Sequence, residues 1–234
     1  GTAAHSASYF EADRWLTLEG VLADLVDLDE ELSFYAFEQA PTSLNLFAKD
    51  FTNRNVAGFE IPATWFQNVN SLFIVLLAPF FAALWLKLGK RGANPSSPAK
   101  FAVGLLFGGL GFGTMILAAY AVVASNGTIK VSALWLVVSY IFQTIGELCL
   151  SPVGLSSMTK LSPRKYVGQM MGIWFLATAL GNLIAGLVGG NVDPEKLDQM
   201  PRLFIATTAS LVVAGLLLAA MTPLIKKFLP NKAN

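Results

Sequence analysis

Residues 132–159 read SALWLVVSYIFQTIGELCLSPVGLSSMT, an apolar stretch with one acidic residue near its centre. About 20 mostly apolar residues are enough for a helix to cross the hydrocarbon core of a bilayer, so this stretch can span it. A charge in the middle of such a helix costs about 2.5–3.5 kcal/mol on insertion scales and is tolerated mainly where it faces a cavity, a partner or a substrate. Glu147 is therefore predicted to serve proton coupling or cation binding. The alternative is a structural carboxylate bonded to a neighbouring helix.

The rest of the chain is equally apolar. Its 234 residues are 54% hydrophobic and only 13% charged, whereas a typical soluble domain has about 25% charged residues. The predicted fold class is therefore all-α, a polytopic bundle of membrane helices. Five spans are clear and a first one is weak, because it is short and polar. In chain order they cover 32–50 (the weak one), 62–88, 100–124, 132–159, 167–190 and 202–228.

Basic residues predict how these spans are oriented, because cytoplasmic loops carry an excess of lysine and arginine. With the loop at 87–100 inside, ten of the sixteen basic residues become cytoplasmic, and the C-terminus lies inside as well. On the opposite side, basic residues are mixed with acids. The chain is thus predicted to be a multi-pass protein of the cytoplasmic membrane. The ten residues are Lys87, Lys90, Arg91, Lys100, Lys160, Arg164, Lys165, Lys226, Lys227 and Lys232.

Residues 1–33 form an atypical acidic segment. They hold eight of the fifteen acids, and residues 16–32 are predicted to form an amphipathic, acidic helix. The segment lacks the basic start and the apolar run of a signal peptide.

Several classes of site are excluded by residue counts. One cysteine, Cys149, rules out an internal disulfide and a cysteine metal cluster, and one histidine, His5, rules out a histidine metal site. No catalytic triad, HExxH motif or phosphate-binding loop is present. We therefore expect neither an enzyme nor a cofactor. The charges are spread over loops, so no nucleic-acid partner is expected, and Cys149 is interpreted as packing.

Three further side chains are candidates for a site, each with an ordinary alternative. Glu38 is a second intramembrane acid if 32–50 crosses the bilayer, and an interfacial acid if it does not. Asn70 lies well inside the span at 62–88, where an amide either contacts substrate or hydrogen-bonds another helix, worth about 0.6 kcal/mol. Trp174 lies deeper than an interfacial anchor. It either packs or lines a cavity together with Asn182.

Four stretches carry a resemblance to a known family. They resemble the proton-coupled oligopeptide transporters, a branch of the major facilitator superfamily, from about residue 34 to the C-terminus. Residues 34–234 are similar to the C-terminal six-helix bundle only, which is helices seven to twelve of that fold. The stretches are FEQAPTSLNLFA (37–48), WFQNVNSLFIVLLAPFFAALW (65–85), GELCLSPVGLSSMTKLSP (146–163) and GQMMGIWFLATALGNLIAG (168–186).

The resemblance implies symport of di- and tripeptides with protons by alternating access. Glu147 would contact the free amine of the peptide and take part in proton coupling. Asn70 would hydrogen-bond the peptide near the same end, and Ser151 would line the cavity one turn from Glu147. Trp174 would wall a side-chain pocket. Glu38 would take part in gating or coupling.

The chain also departs from the family pattern. Phe34 stands where the family usually has a tryptophan that contacts the peptide, although a phenylalanine still fills space there. Ser71 stands where proline is common, and residues 1–33 do not resemble the family.

The resemblance covers half of a binding site. The ExxER-type motif of the family's first helix and the basic residues that would hold the peptide carboxylate are absent. An N-terminal six-helix bundle is therefore expected as a partner, and the chain is interpreted as a fragment or an altered gene product. The alternatives are a scaffold or partner subunit, transport of another small solute, and, less favoured, pairing of two copies.

Overall fold

The computed structural model describes residues 43–56, 58–162, 165–190 and 199–228. Helices make up most of these ranges, with short strand pairs between them. The helices are α1 Asn45–Asp50, α2 Trp65–Lys90, α3 Ser97–Ala124, α4 Leu134–Leu161, α5 Val167–Gly190 and α6 Gln199–Phe228.

The predicted membrane helices are confirmed. Among the described residues, four helices contain stretches long and apolar enough to cross a bilayer: Trp65–Lys90, Ser97–Ala124, Leu134–Ser157 and Gln199–Pro223. In α5 the helix continues to Gly190, and its apolar stretch Val167–Leu180 is shorter. The chain is therefore a multi-pass, helical membrane protein.

The weak first span has only its end in the described part of the chain. There, α1 covers Asn45–Asp50 and is followed by a turn. The predictions for residues 1–33, including the acidic helix at 16–32, and for Phe34 and Glu38 lie outside the described residues.

Helix α3 lies between α4 and α6, and glycines allow it to pack closely on both. A Cβ atom at Gly104 would lie 2.6 Å from Leu150 Cγ of α4. On the other side, a Cβ atom at Gly109 would lie 2.9 Å from Val212 Cγ2 of α6. Real Cβ atoms do not approach other atoms so closely, so the helices pack at this distance because the residues are glycine.

Aromatic rings join α1 to this three-helix core. The ring of Phe47 meets that of Phe204 edge-on, with centroids 5.8 Å apart, and Phe112 of α3 lies 6.5 Å from Phe204. All three side chains are completely buried. The core is completed by buried apolar residues of α3, α4 and α6: Leu105, Met115, Leu136, Leu211 and Leu218.

Helix α4, which carries Glu147, contacts three other helices, α2, α3 and α5. By contrast, α2 is largely exposed along its length, and Phe66 is its one buried side chain among those described. Apolar side chains such as Leu76 and Phe80 point away from the bundle. Such an apolar exterior suits a lipid or protein neighbour.

The connections at one end of the bundle contain two strand pairs that the sequence reading did not predict. β1 (Thr52–Asn53) runs parallel to β4 (Val131–Ser132), so the segment after α1 is bonded to the segment before α4. β2 (Asn55–Val56) and β3 (Phe59–Glu60) form an antiparallel turn. Two-residue strands are too short to produce a recognisable alternation in sequence.

Candidate functional site

Glu147 and Asn70 meet between α4 and α2. The Asn70 side-chain amide donates a hydrogen bond from Nδ2 to Glu147 Oε2 over 3.1 Å. Both side chains are half-buried, so the carboxylate is shielded by the helices without being sealed from the space beside them. The sequence analysis selected both residues, and the structure brings them together although 77 positions separate them.

Thr144 is the third member of this cluster, and the sequence analysis missed it. Its side chain is completely buried, and its hydroxyl donates to Asn70 Oδ1. Thr144 lies three positions before Glu147, a spacing that places both on one helix face. That spacing could have indicated Thr144 from the sequence. A threonine in an apolar helix usually bonds its own backbone, however, so the residue type alone does not indicate a site.

Ser151 and Gly154 continue the face of α4 that carries Glu147, because they follow it by four and seven positions. Ser151 is half-buried, and its cavity-lining role stays a prediction. Gly154 lies two turns, or about 10 Å, along the helix from Glu147.

Trp174 of α5 packs on this face of α4. Its indole ring lies directly over Gly154, and only 6% of the side chain is exposed. The ring of Phe101 of α3 closes the same space, 3.0 Å from where a Cβ atom of Gly154 would be. Trp174 is therefore placed by packing, two turns from the carboxylate. The position agrees both with a packing residue and with the wall of a pocket.

Other side chains of these helices contribute less. Asn68 is exposed, and Trp65 is 56% exposed at the start of α2, with its ring 6.2 Å from that of Phe59. Cys149 is a buried, free cysteine, in keeping with packing. The side chain of Asn182 lies outside the described residues, so the proposed pairing with Trp174 stays a prediction.

A second polar cluster lies deeper between α3 and α4. Gln143 Nε2 donates to Ser139 Oγ over 2.8 Å, and Ser139 Oγ donates to the carbonyl oxygen of Gly111 over 2.9 Å. Both side chains are almost completely buried. Because buried polar groups need partners, this chain of bonds holds α3 and α4 in one register.

The described residues contain no group of three histidine, cysteine or acidic side chains that could hold a metal ion. The chemistry that the Glu147 cluster offers is that of a partly shielded carboxylate with an oriented amide beside it. Such a carboxylate can accept a proton or pair with an organic cation.

Comparison with known proteins assigns the chain to a family. A family model described as the POT family matches residues 32–201. The peptide transporter YePEPT of Yersinia enterocolitica is 50% identical over 196 residues, which cover 84% of this chain and 38% of that protein. Dipeptide and tripeptide permease A of Escherichia coli is 34% identical over 91% of this chain and 43% of its own length.

Solved structures agree. A crystal structure of the peptide transporter POT in complex with sulfate superposes with a TM-score of 0.77 at 38% identity, over 90% of this chain and 42% of that one. A POT family transporter in complex with 5-aminolevulinic acid gives 0.73 at 31% identity, over 86% of this chain and 40% of that one. The chain thus spans about two fifths of the length of these relatives. From the match over residues 32–201 and these similarities, the chain belongs to the POT family.

Proposed function

We propose that this chain forms the C-terminal half of the site of a proton-coupled symporter of di- and tripeptides. The support is membership of the POT family together with relatives named as peptide transporters. The observation that carries the proposal is the hydrogen bond from Asn70 to Glu147, because it orients a half-buried carboxylate between two helices.

The proposed chemistry follows from this carboxylate. A peptide presents a free ammonium group, and a charge-assisted hydrogen bond between ammonium and carboxylate is about twice as strong as a neutral one. Protonation of Glu147 removes the negative charge and weakens that bond. Proton and peptide occupancy are therefore linked at one side chain.

The neighbouring residues have roles that fit their positions. Asn70 supplies a polar contact near the amine end, and Ser151 lines the space one turn further along α4. Trp174 provides an apolar wall for a peptide side chain. Glu38 and Phe34 keep their predicted roles, in proton coupling and in contact with the peptide.

A complete site needs groups that hold the carboxylate end of the peptide. We propose that an N-terminal six-helix bundle supplies them, since this chain covers 38% of the length of YePEPT and 43% of that of the Escherichia coli permease. We also propose residence in the cytoplasmic membrane with the C-terminus inside. The exposed Lys87, Lys90 and Arg91 at the end of α2 support that orientation.

A small amine-bearing solute other than a peptide is the second candidate. A POT family structure similar to this chain contains 5-aminolevulinic acid, which also carries an amine that a carboxylate can hold. A third candidate is an inactive fragment or a scaffold subunit, in which the carboxylate is kept for structural reasons alone.

Uptake of a labelled dipeptide into proteoliposomes under an inward proton gradient tests the proposal. The chain is reconstituted alone and then with the N-terminal bundle of a POT relative, and Glu147→Gln is compared with Glu60→Gln. Glu60 is an exposed acid of β3, with 68% of its side chain accessible and an ion pair to Arg54, and it serves as the control outside the site. We expect uptake only with the added bundle, lost in Glu147→Gln and kept in Glu60→Gln.

Three other results would redirect the interpretation. Uptake of 5-aminolevulinic acid but not of dipeptides would favour the second candidate. No uptake of either compound by folded protein in both preparations would favour the inactive fragment. Undiminished uptake by Glu147→Gln would remove this carboxylate from the mechanism.

A further inference from the structure

The amide of Asn70 has two different ends, and its orientation decides what it can do for Glu147. A charged carboxylate only accepts hydrogen bonds. Asn70 can therefore bond it when Nδ2, the donor, faces it, and cannot when Oδ1, an acceptor, faces it. The hydrogen bond to Glu147 itself supplies one reason for that orientation. What holds the other end of the amide determines whether the orientation persists when the carboxylate changes state.

Thr144 holds that other end. Its hydroxyl donates to Asn70 Oδ1 from a side chain that is completely buried. The same hydroxyl also lies 2.7 Å from the backbone carbonyl oxygen of Tyr140, one turn earlier in α4. A hydroxyl has one proton and two lone pairs, so it donates to one of these two acceptors at a time and can accept a bond as well.

We propose that Thr144 is a positioning residue that holds the Asn70 amide with Nδ2 toward Glu147. By donating to Asn70 Oδ1, the Thr144 hydroxyl engages the accepting end of the amide and leaves the donating end for Glu147. A charged carboxylate accepts from Nδ2, and a protonated carboxyl still accepts through its carbonyl oxygen, so this orientation serves both protonation states. This inference rests on the proposed role of Glu147 in binding protons and amines.

This arrangement uses groups that are already in contact. A valine at position 144 has nearly the same shape as threonine but lacks the hydroxyl. It therefore leaves Asn70 Oδ1 without this donor and removes the bond that holds Nδ2 toward Glu147.

An ordinary buried threonine provides the comparison. Thr207 in α6 is 2% exposed and bonds the Leu203 carbonyl oxygen of its own helix over 3.0 Å. It therefore shares the burial and the backbone bond of Thr144. A purely structural effect of removing a buried hydroxyl should appear equally in Thr207→Val.

The test is infrared difference spectroscopy of the chain in lipid nanodiscs between acid and neutral pH, which needs no transport. The Glu147 bands are identified as those lost in Glu147→Gln. We expect Thr144→Val to shift these bands in the same direction and to the same extent as Asn70→Ala. Thr144→Ser should restore the bands of the unmodified chain, and Thr207→Val should leave them unshifted. The double variant Thr144→Val with Asn70→Ala should show no shift beyond Asn70→Ala alone.

The opposite results overturn the proposal. These are unshifted Glu147 bands in Thr144→Val, no rescue by serine, an equal shift in Thr207→Val, or additive shifts in the double variant. If the valine variants do not fold, Thr144→Ala against Thr207→Ala gives the same comparison.

Dipeptide binding, measured in the assembly with the N-terminal bundle, separates this inference from the proposed function. We expect about tenfold weaker binding in Thr144→Val, since a hydrogen bond to a charged group is weakened. Infrared shifts as predicted with no dipeptide binding in any form, the unmodified assembly included, would uphold the positioning role and reject peptide transport. Normal dipeptide binding with unshifted bands in Thr144→Val would reject the positioning role of Thr144 and leave the proposed peptide transport standing.

Discussion

The indole ring of Trp174 packs directly on Gly154. The ring fills the space where any side chain at position 154 would begin, and the ring of Phe101 borders the same space. The glycine is therefore what allows α5 to lie against α4 at this level, two turns from Glu147.

Replacing Gly154 with alanine should displace the indole ring and destabilise the fold by about 1–3 kcal/mol, the usual cost of overpacking. The measurement is the free energy of unfolding in detergent. Gly172→Ala is the matched control, because it lies on the same helix as Trp174 and a Cβ atom there meets nothing within 4 Å. That variant should be neutral or slightly stabilising. Equal destabilisation in both variants would contradict the packing described here.

Gly111→Ala should be costlier than Gly154→Ala. Its Cβ atom would lie 2.9 Å from the backbone oxygen of Ser139, which cannot rotate away as a ring can. The substitution also presses on Gln143 and so strains the buried cluster between α3 and α4. We expect a loss of about 3 kcal/mol in the free energy of unfolding, at the upper end of overpacking costs.

Gly113→Ala, two positions along the same helix, is the control for this prediction. Its Cβ atom would lie 3.8 Å from Thr208 Cγ2, an ordinary contact. Thermal unfolding of the two variants side by side should separate them. A Gly111→Ala protein as stable as Gly113→Ala would mean that α3 and α4 are further apart than described.

Asn70→Ala should weaken peptide binding about ten- to a hundredfold, since hydrogen bonds to charged groups are worth about 1.5–3 kcal/mol. The reason is loss of the donor that orients Glu147. Calorimetric titration of a dipeptide into the assembly with an N-terminal bundle measures the effect. Asn68→Ala, an exposed neighbour on the same helix, should bind normally. Equal losses at both positions would point to damage of α2 as a whole.

Hydropathy predicted the membrane helices because four of those described contain apolar stretches long enough to cross a bilayer. Glu147 and Asn70 were predictable for a related reason, since a polar group at membrane depth carries a cost that requires a partner. Thr144 was not predictable in this way. Its hydroxyl bonds its own backbone in any helix, and only the three-dimensional position of Asn70 gives it a second role.

Contacts between helices were the least predictable feature. Glycines mark places where helices approach, but nothing in the order of residues pairs Gly154 with Trp174 or Gly111 with Gln143. The strand pairs were missed because main-chain hydrogen bonds leave no residue pattern over two positions.

The parallel pairing of β1 with β4 has a consequence for sequence variation. The amide of Val131 donates to the carbonyl oxygen of Phe51 over 2.9 Å, so the link between these two connections is made by the main chain. Main-chain bonds do not depend on which side chains are present, provided that proline is avoided at the donor. Exposed positions in these connections, such as Ile129 and Lys130, can therefore accumulate substitutions while the helices keep their spacing.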